Sequence, residues 1–510
     1  MLILFHKNNK VVDVIDVELG LKINNSENNP TKALFNLSST FSSRIICWAH
    51  FSYKGSINLE KLKSFFLNTN TMVSTGSISY LSDSIGYVED SLFINVNKKV
   101  KYPTWLMHSN CGAIYGKHLL TFKPYIDVNQ DLVYNLNSIA KLGISNGLYC
   151  YASSKIIEKN NLDATFKIAS KAKLFQFVKE HYKVRWLFLL FLNFIIHEKK
   201  ILIIPLLKSL KYKRKYYKNL IASDNKIDTI EIEKTISVII PTLGRAPYLY
   251  NVLKDLALQT LKPTEVIIIE QGDKTFFKTE LDYLKIDNWP FKIVHKLITK
   301  TGACNARNIG LNFVTSKYTF FADDDIRFNK NMLSEALSFM EVQGHDAITL
   351  SCLKESEIET QKVPVQWKSF GSGCSIVKSN VIKDLKFNMA FEHGFGEDAD
   401  YGMQLRNKGV DVIYLPFVKL KHLKAPIGGF RTKHTHAWEI EKVLPKPSPT
   451  IMLYNLKYKT KEQVNSYKLT LFLKLYKRQS IKQPFKYYNM FKERWAKSQT
   501  WANKLENKAI

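Results

Sequence analysis

The sequence predicts an α/β protein with a doubly wound sheet in its second half, preceded by a smaller α/β domain and followed by a helical tail. From about residue 235 to 440, short apolar runs rich in β-branched residues alternate with stretches of helical spacing. The connections between them are short, as in a sheet with helices on both faces. Residues before about 160 mix apolar strands with polar loops, and the tail is helix-like and rich in lysine.

The elements of the alternating region can be placed in order along the chain. The run ISVII (236–240) predicts a buried parallel strand, and a helix is expected over 248–261. EVIII (265–269) predicts a second strand, and 291–294 a third. A helix over 303–314 then leads to a fourth strand, YTFFA, over 318–322. Because ligands of such sheets bind beyond the carboxyl ends of the strands, the polar residues there are the candidates for a site.

The 510 residues suffice for two or three domains, and we divide them into segments 1–160, 161–232, 233–440 and 441–510. The second segment is a basic helical linker and the fourth a basic helical extension. The first ten residues lack the order of charge and apolar run that a signal peptide has. Six cysteines without CxxC spacing indicate buried thiols in a reducing compartment, which predicts a cytoplasmic protein.

The formal net charge of +29 indicates an acidic partner, either an anionic membrane face, a phosphorylated substrate or nucleic acid. A general bias toward lysine is the alternative explanation. No zinc-finger spacing or helix-turn-helix signature accompanies the charge, so nucleic acid is not predicted as a partner. The apolar window 186–196 is shorter than the ~20 residues that span a bilayer. With the basic stretch after it, this window is either a helix on the inner face of the cell membrane or a core helix followed by a basic linker.

Three aspartates, Asp323, Asp324 and Asp325, directly follow the predicted fourth strand. Adjacent carboxylates repel one another unless a cation or hydrogen-bond donors neutralise them. Oxygen ligands of this kind suit Mg²⁺ or Mn²⁺, often shared with substrate phosphates. The alternative, a helix N-cap, needs only one aspartate, so the sequence favours a divalent cation site.

A second acidic pair, Glu397 and Asp398, lies in the run GFGEDADYGMQLRNKG. A carboxylate at this place can deprotonate a hydroxyl that lies within hydrogen-bond reach. Acidic residues also stabilise a helix N-terminus, so the pair alone is ambiguous. Together with the three aspartates, it favours catalysis.

Residues from about 235 to 435 resemble the catalytic domain of glycosyltransferase family 2, which has the inverting GT-A fold. Six motifs carry the resemblance, in the family's order: SVIIPTLGR, EVIIIEQGD, GACNARNIGL, FFADDDI, FGSGCSIVKS and GEDADYGMQLRNKG. The resemblance implies transfer of a sugar, with inversion, from a nucleotide-diphosphate donor to a hydroxyl of a glycan or lipid-linked acceptor. It also implies Mg²⁺ or Mn²⁺ as cofactor and a role in surface polysaccharide synthesis.

The resemblance assigns roles to individual residues. It implies that the nucleotide part of the donor is bound by Pro241, Thr242, Arg245, Glu270, Arg307, Asn308, Asp323 and Asp324. The metal would be held by Asp323, Asp325 and His422, and Asp398 would be the general base. Taken alone, His422 is more typical of a surface residue at a strand end. Glu270 and Gln271 stand where the family commonly has aspartates, which leaves the nucleotide base open.

Two glycine-containing segments are further candidates. Gly373 would bring the backbone close to the acceptor, with a strand bulge as the alternative. Gly428, Gly429 and Arg431 resemble a loop that closes over the diphosphate, and a simple turn is equally compatible with them.

The first segment contains a weaker echo of these motifs. SNCGAIYGKHLL (109–120) resembles residues 371–382, and residues 129–143 resemble 396–409, with Asp131 opposite Asp398. RIICWAHFS (44–52) stands where the second half has its aspartates, and it has none. We interpret the segment as a degenerate partial copy of the same fold without catalysis; chance similarity between apolar strands is the alternative.

Beyond about residue 448, aromatic residues interleave with lysine and arginine. This pattern fits either a membrane-surface contact or a helix that packs its aromatic stripe on the catalytic domain. Two other functions compete with sugar transfer: a non-catalytic carbohydrate-binding or scaffold protein of the same fold, and a nucleotidyltransferase. The latter should have a glycine-rich loop after the first strand, and the loop here has only Gly244.

Overall fold

The structure is a computed structural model that describes residues 1–76, 79–158, 168–222, 234–272, 278–426 and 434–509. The chain forms two compact units. The first unit comprises residues 1–225 and 459–475, and the second comprises residues 226–458 and 476–510. No helix within the described ranges is both long enough and apolar enough to cross a membrane. We retain the four segments of the sequence as a proposal for the domain limits.

The first unit has a mixed sheet with the strand order β3-β2-β1-β4-β7-β5-β8-β6. Its strands are β1 (Leu2–Lys7), β2 (Lys10–Asp16), β3 (Leu21–Lys22), β4 (Ile45–His50), β5 (Thr71–Ser74), β6 (Tyr102–Pro103), β7 (Cys111–Tyr115) and β8 (Tyr149–Ala152). Its helices up to residue 225 are α1 (Pro30–Thr40), α2 (Leu59–Lys63), α3 (Gly116–Thr121), α4 (Leu132–Gly143), α5 (Lys171–His181), α6 (Val184–Glu198) and α7 (Ile203–Leu210).

The second unit has a mixed sheet with the order β11-β10-β9-β12-β16-β14-β17-β13, and β15 pairs with β17. Its strands are β9 (Ile236–Thr242), β10 (Glu265–Gln271), β11 (Lys292–Ile298), β12 (Tyr318–Ala322), β13 (Ile326–Phe328), β14 (Ala347–Leu353), β15 (Val365–Gln366), β16 (Cys374–Lys378) and β17 (Val412–His422). The helices before residue 441 are α8 (Ala246–Ala257), α9 (Tyr283–Ile286), α10 (Ala303–Leu311), α11 (Met332–Gln343), α12 (Ser379–Ile382) and α13 (Glu397–Asn407). The tail forms α14 (Pro449–Tyr458), α15 (Lys461–Tyr476) and α16 (Pro484–Ala509).

The predicted α/β fold class is confirmed, and the four predicted strands are β9 to β12. Strand β12 has the predicted bounds, and all five of its residues are buried. Strand β10 is also buried throughout, as its continuous apolar run indicated. Parallel pairing of β9 with both β10 and β12 brings the carboxyl ends of these three strands to one edge of the sheet.

The two sheets share the order of their five central strands, β1-β4-β7-β5-β8 in the first unit and β9-β12-β16-β14-β17 in the second. In both, the first strand pairs in parallel with the fourth strand along the chain (β1 with β4, β9 with β12), and that strand pairs antiparallel with β7 or β16. The other pairs among these central strands also agree in direction: β5 and β14 run antiparallel to β7 and β16, and parallel to β8 and β17. They differ at both edges. At one edge β1 and β2 form an antiparallel hairpin, whereas β9 and β10 are parallel with α8 between them. At the other edge the outer strand is β6, which follows β5 in the chain, in the first unit and β13, which precedes β14, in the second.

The echo in the sequence falls on equivalent elements of the two sheets. The first similar stretch covers β7 and α3 in one unit and β16 and α12 in the other, and the second covers α4 and α13. The positions of the three aspartates are taken by Ala49, His50 and Phe51 at the end of β4. This agrees with the interpretation of a partial copy that lacks the acidic groups.

The tail is helical, as predicted, and its aromatic stripe is packed rather than exposed. Tyr487, Phe491 and Trp495 follow one another at i, i+4 spacing on α16, and each is at most 4% exposed. Helix α15 instead packs within the first unit. Its Gln463 amide donates to the carbonyls of Glu89 and Ser91, both at 2.9 Å.

The prediction of buried thiols is correct for four of the six cysteines, and all six are free. It is wrong for Cys352 and Cys374, which are partly exposed. Both lie near the edge of the second sheet where the strands end beside the acidic residues, so packing there is less complete than in the sheet centre.

Candidate active site

An aromatic cluster fixes the end of β12 against α13. The ring of Phe321 packs edge-on against Phe370, Phe387 and Tyr401, with centroids 5.4 to 5.8 Å apart. Phe387 and Tyr401 are stacked at 4.2 Å. These buried rings connect β12, which Asp323 directly follows, to the first turns of α13, which contain Asp398.

The backbone of Gly373 lies directly against Asp323. The amide of Asp323 donates to the carbonyl of Gly373 at 3.1 Å. A Cβ atom at residue 373 would lie 2.1 Å from the Asp323 carboxylate, so only glycine fits without displacing this side chain. Gly373 was expected to bring the backbone close to the acceptor. In the structure its backbone lies close to Asp323, an acidic residue of the site.

Asp324 points into the protein. Thr242 and Arg245 donate to its two carboxylate oxygens, each at 2.8 Å, and the residue is 3% exposed. Burial raises the pKa of Asp324 to about 6, and the hydrogen bonds from Arg245 and Thr242 oppose that rise. In this arrangement Asp324 positions Arg245 at the strand ends.

Asp325 and His422 face each other across the β13–β17 pair. The His422 Nε2 lies 3.4 Å from the Asp325 Oδ1, and the Ala425 amide donates to the Asp325 Oδ2 at 2.9 Å. Strand β13 places these residues because Ile326 pairs with His422. The hydrogen bond with Asp325 raises the pKa of His422.

Asp323, Asp325 and His422 each offer a ligand atom, and these atoms lie within 4.8 Å of one another. Two carboxylates and one imidazole, with Asp323 and His422 partly exposed, suit a small divalent cation such as Mn²⁺ or Mg²⁺. Arg245 lies 3.3 Å from Asp325, so its charge offsets part of the acidic charge there. The residues present therefore fit the predicted metal.

Asp398 lies at the start of α13 and is held by Ser372. The Ser372 hydroxyl and amide both donate to the Asp398 Oδ1, the amide at 3.2 Å. Burial raises the pKa of Asp398, and the positive charge of Arg307 and the bonds from Ser372 oppose this shift. Burial and the charge of Asp398 together raise the pKa of the neighbouring Glu397 to about 7. The two carboxylates therefore titrate as a pair.

Arg307 joins the two acidic groups. It is 4% exposed, and its Nη2 donates to Asp323 at 3.1 Å. The charges of Asp323, Asp398 and Glu397 offset the burial of the guanidinium and keep its pKa raised. Its Nε and Nη1 have no hydrogen-bond partner among the described residues. Two donors of a buried cation are thus available at the site.

The sequence of this unit matches a known family. Residues 237–406 match the model of glycosyl transferase family 2. The chain carries a glycosyltransferase family 2 domain. This match spans β9 to α13 and thereby includes both acidic groups.

Individual proteins are similar to parts of the chain. An uncharacterized glycosyltransferase of Rickettsia conorii is 35% identical over 106 residues, 21% of this chain and 17% of that protein's length. The GalNAc(5)-diNAcBac-PP-undecaprenol beta-1,3-glucosyltransferase of Campylobacter jejuni is 25% identical over 190 residues, 33% of this chain and 59% of that protein. The solved structure of S. aureus TarS 1-349 in complex with UDP-GlcNAc has a TM-score of 0.35 and 16% identity, covering 45% of this chain and 69% of that one.

Two side chains that the family resemblance assigns to the donor nucleotide, Glu270 and Asn308, form hydrogen bonds with other residues of the family 2 domain. The Glu270 carboxylate accepts from Thr279 and His295 and from the amide of Glu280, at 2.7 to 2.8 Å. Asn308 exchanges two hydrogen bonds with the backbone of Phe387, at 2.8 and 2.7 Å. In this conformation both side chains hold neighbouring segments.

The other predicted residues lie at the strand ends or outside the described residues. Pro241 and Thr242 end β9, and Pro241 pairs with Ile269 of β10. Gln271 ends β10, where its side chain accepts from the Gly302 amide at 2.6 Å. The candidate closing loop with Gly428, Gly429 and Arg431 lies outside the described residues.

Sequence reasoning missed two residues of the family 2 domain. Glu392 accepts from the amides of Cys304 and Asn305, at 3.1 and 2.7 Å, at the start of α10. Ser372, which holds Asp398, lies between the two glycines of the FGSGCSIVKS motif. The small residues around Ser372 were a signal in the sequence for a close approach to this segment. Glu392 had no such signal, because it is about ninety residues away from the helix whose first amides it binds.

Proposed function

We propose that the chain transfers a sugar from a nucleotide-diphosphate donor to a hydroxyl of an acceptor and inverts the anomeric configuration. The match to family 2 supports glycosyl transfer as the class of function. The observation that supports the finer proposal is the pairing of two acidic groups through Arg307. One group gathers three metal ligands, and the other presents a single carboxylate held by Ser372.

The residues divide the chemistry between them. Asp323, Asp325 and His422 would hold a divalent cation, Mg²⁺ or Mn²⁺, which supplies positive charge for the leaving diphosphate. Asp398 accepts the proton of the acceptor hydroxyl. The oxygen of that hydroxyl attacks the sugar carbon from the face opposite to the leaving nucleotide diphosphate. Because Ser372 occupies only Oδ1 of Asp398 in the hydrogen bonds described, Oδ2 is the oxygen proposed to take this proton.

The acceptor is proposed to be a glycan, free or lipid-linked, in surface polysaccharide synthesis. The Campylobacter jejuni relative supports this, since its name specifies an undecaprenol-linked acceptor. The net charge of +29 suits a phosphorylated lipid at the cytoplasmic face of a membrane. We place the protein in the cytoplasm, where nucleotide sugars would be its donors.

A panel of nucleotide sugars, tested with Mg²⁺ or Mn²⁺, examines the proposal through slow hydrolysis of the donor. Asp398→Asn should retain donor binding and lose transfer, because the amide cannot accept the proton; losses of ~10²-fold or more are typical for a general base. A turnover above about a tenth of wild type would remove Asp398 from this role. A folded protein that hydrolyses no donor and binds no nucleoside diphosphate would overturn the proposal.

A further inference from the structure

Helix α6 of the first unit has one apolar face that the described residues leave uncovered. One side of the helix is buried in the core of the unit, through Leu187, Leu190 and Phe194. The opposite side is exposed and carries, at i, i+4 spacing, Val184, Phe188, Leu192 and Ile196. These four side chains form a continuous apolar stripe about 18 Å long, at 1.5 Å per residue.

Helix α7 continues the same pattern after a short connection. Its buried positions are Leu206 and Ser209. Four of its exposed positions are again large and apolar, Ile203, Ile204, Leu207 and Leu210, with Ile204 67% exposed. Isolated exposed apolar residues are ordinary, but two consecutive helices with uncovered apolar stripes indicate an interaction surface. We call the exposed residues of both helices the α6–α7 apolar face.

Positive charge surrounds the α6–α7 apolar face. Residues 181–222 contain ten lysines and arginines and a single acidic residue, Glu198. Exposed examples flank both helices: Lys183, Arg185, Lys199, Lys200, Lys208 and Lys211. Docking a second copy of this face would bring two such basic rims together, and like charges in apposition oppose association. An anionic surface meets no such repulsion.

We infer that the α6–α7 apolar face is the surface by which the protein docks on an anionic lipid membrane. Neither helix is long enough to span a bilayer, so each lies in the plane of the interface with its apolar stripe among the acyl chains. The surrounding lysines and arginines contact the negative headgroups. Of the two interpretations that the sequence allowed for this window, the exposure of the stripe supports the membrane helix.

Flotation of the full chain with lipid vesicles tests this inference. We expect binding to phosphatidylcholine vesicles that contain phosphatidylglycerol, weaker binding to phosphatidylcholine alone, and a decrease with added salt. The double variant Phe188→Glu/Leu207→Glu should bind at least about tenfold more weakly, because both residues are exposed members of the face. Both substitutions are at exposed positions, so the thermal unfolding of the variant should match wild type.

The matched control is Ile286→Glu/Leu258→Glu, which makes the same change of charge at exposed apolar positions of the second unit. It should bind vesicles like wild type. Equal loss in both double variants, or no binding of the wild type to anionic vesicles, would overturn the inference. The inference would also be overturned if light scattering showed that the wild type is a dimer and that Phe188→Glu/Leu207→Glu is a monomer. Vesicle binding is measured without donor or acceptor, so its failure is separate from a failure of the proposed sugar transfer.

Discussion

Substituting Gly373 by alanine tests whether the position of Asp323 decides metal binding. The new Cβ would lie 2.1 Å from the Asp323 Oδ2 and 2.3 Å from its Cγ, whereas ordinary contacts begin near 3.4 Å. The carboxylate must therefore move by about 1 Å, well beyond the ~0.2 Å that metal–ligand distances tolerate. A misplacement of this size costs about 100-fold in rate, or about 3 kcal/mol of transition-state stabilisation.

The assay combines Mn²⁺ titration by calorimetry with kcat/KM for transfer, or for donor hydrolysis, in the Gly373→Ala variant. Gly272→Ala is the matched control, since its Cβ would meet only Leu297 at 3.4 Å, an ordinary contact. The control should bind Mn²⁺ and turn over like wild type. If folded Gly373→Ala keeps wild-type metal affinity and turnover, then the packing of Gly373 on Asp323 does not position the site.

Three other changes give distinct outcomes. Glu397→Gln should shift the acidic limb of the pH profile of kcat/KM to lower pH. The reason is that Asp398 then loses its proton without a negative charge beside it. An unchanged limb would show that the two carboxylates titrate independently. Asn308→Ala should lower the free energy of unfolding in urea by about 2 kcal/mol, because two hydrogen bonds are lost, and it should leave donor affinity unchanged. Weaker donor binding by a variant of wild-type stability would instead support a role of Asn308 in binding the nucleotide. Asp131→Asn should leave turnover at the wild-type value, since Ala49, His50 and Phe51 stand in the first unit where the second has its three aspartates. A large loss of turnover in a folded variant would contradict that view.

Local signals in the sequence were sufficient for the strands that carry the site. A run of aromatic and β-branched residues before Asp323 gave the bounds of β12, because such residues pack on both faces of a buried strand. The same logic placed the candidate metal ligands Asp323 and Asp325 directly after that strand. His422 came from the family resemblance, and the structure places it beside Asp325 through the pairing of β13 with β17.

Contacts between distant segments had no signal in the sequence. The motif containing Asn308 indicated the nucleotide, but the amide bonds to Phe387, which is 79 residues away. Glu270 is similarly bound by Thr279 and His295. A side chain's partners depend on the loops packed around it, and a single sequence does not specify them.

The packing of α15 has a consequence for biosynthesis. The first unit comprises residues 1–225 and 459–475, and the buried carbonyls of Tyr87, Glu89 and Ser91 accept hydrogen bonds from Ser466 and Gln463. A ribosome adding about 5–20 residues per second needs tens of seconds to pass from the first part to the second. The nascent first unit therefore waits with these carbonyls uncovered while the family 2 domain emerges. Chaperone binding during synthesis should concentrate on this interval, and a stop codon after residue 458 should leave the N-terminal unit prone to aggregation.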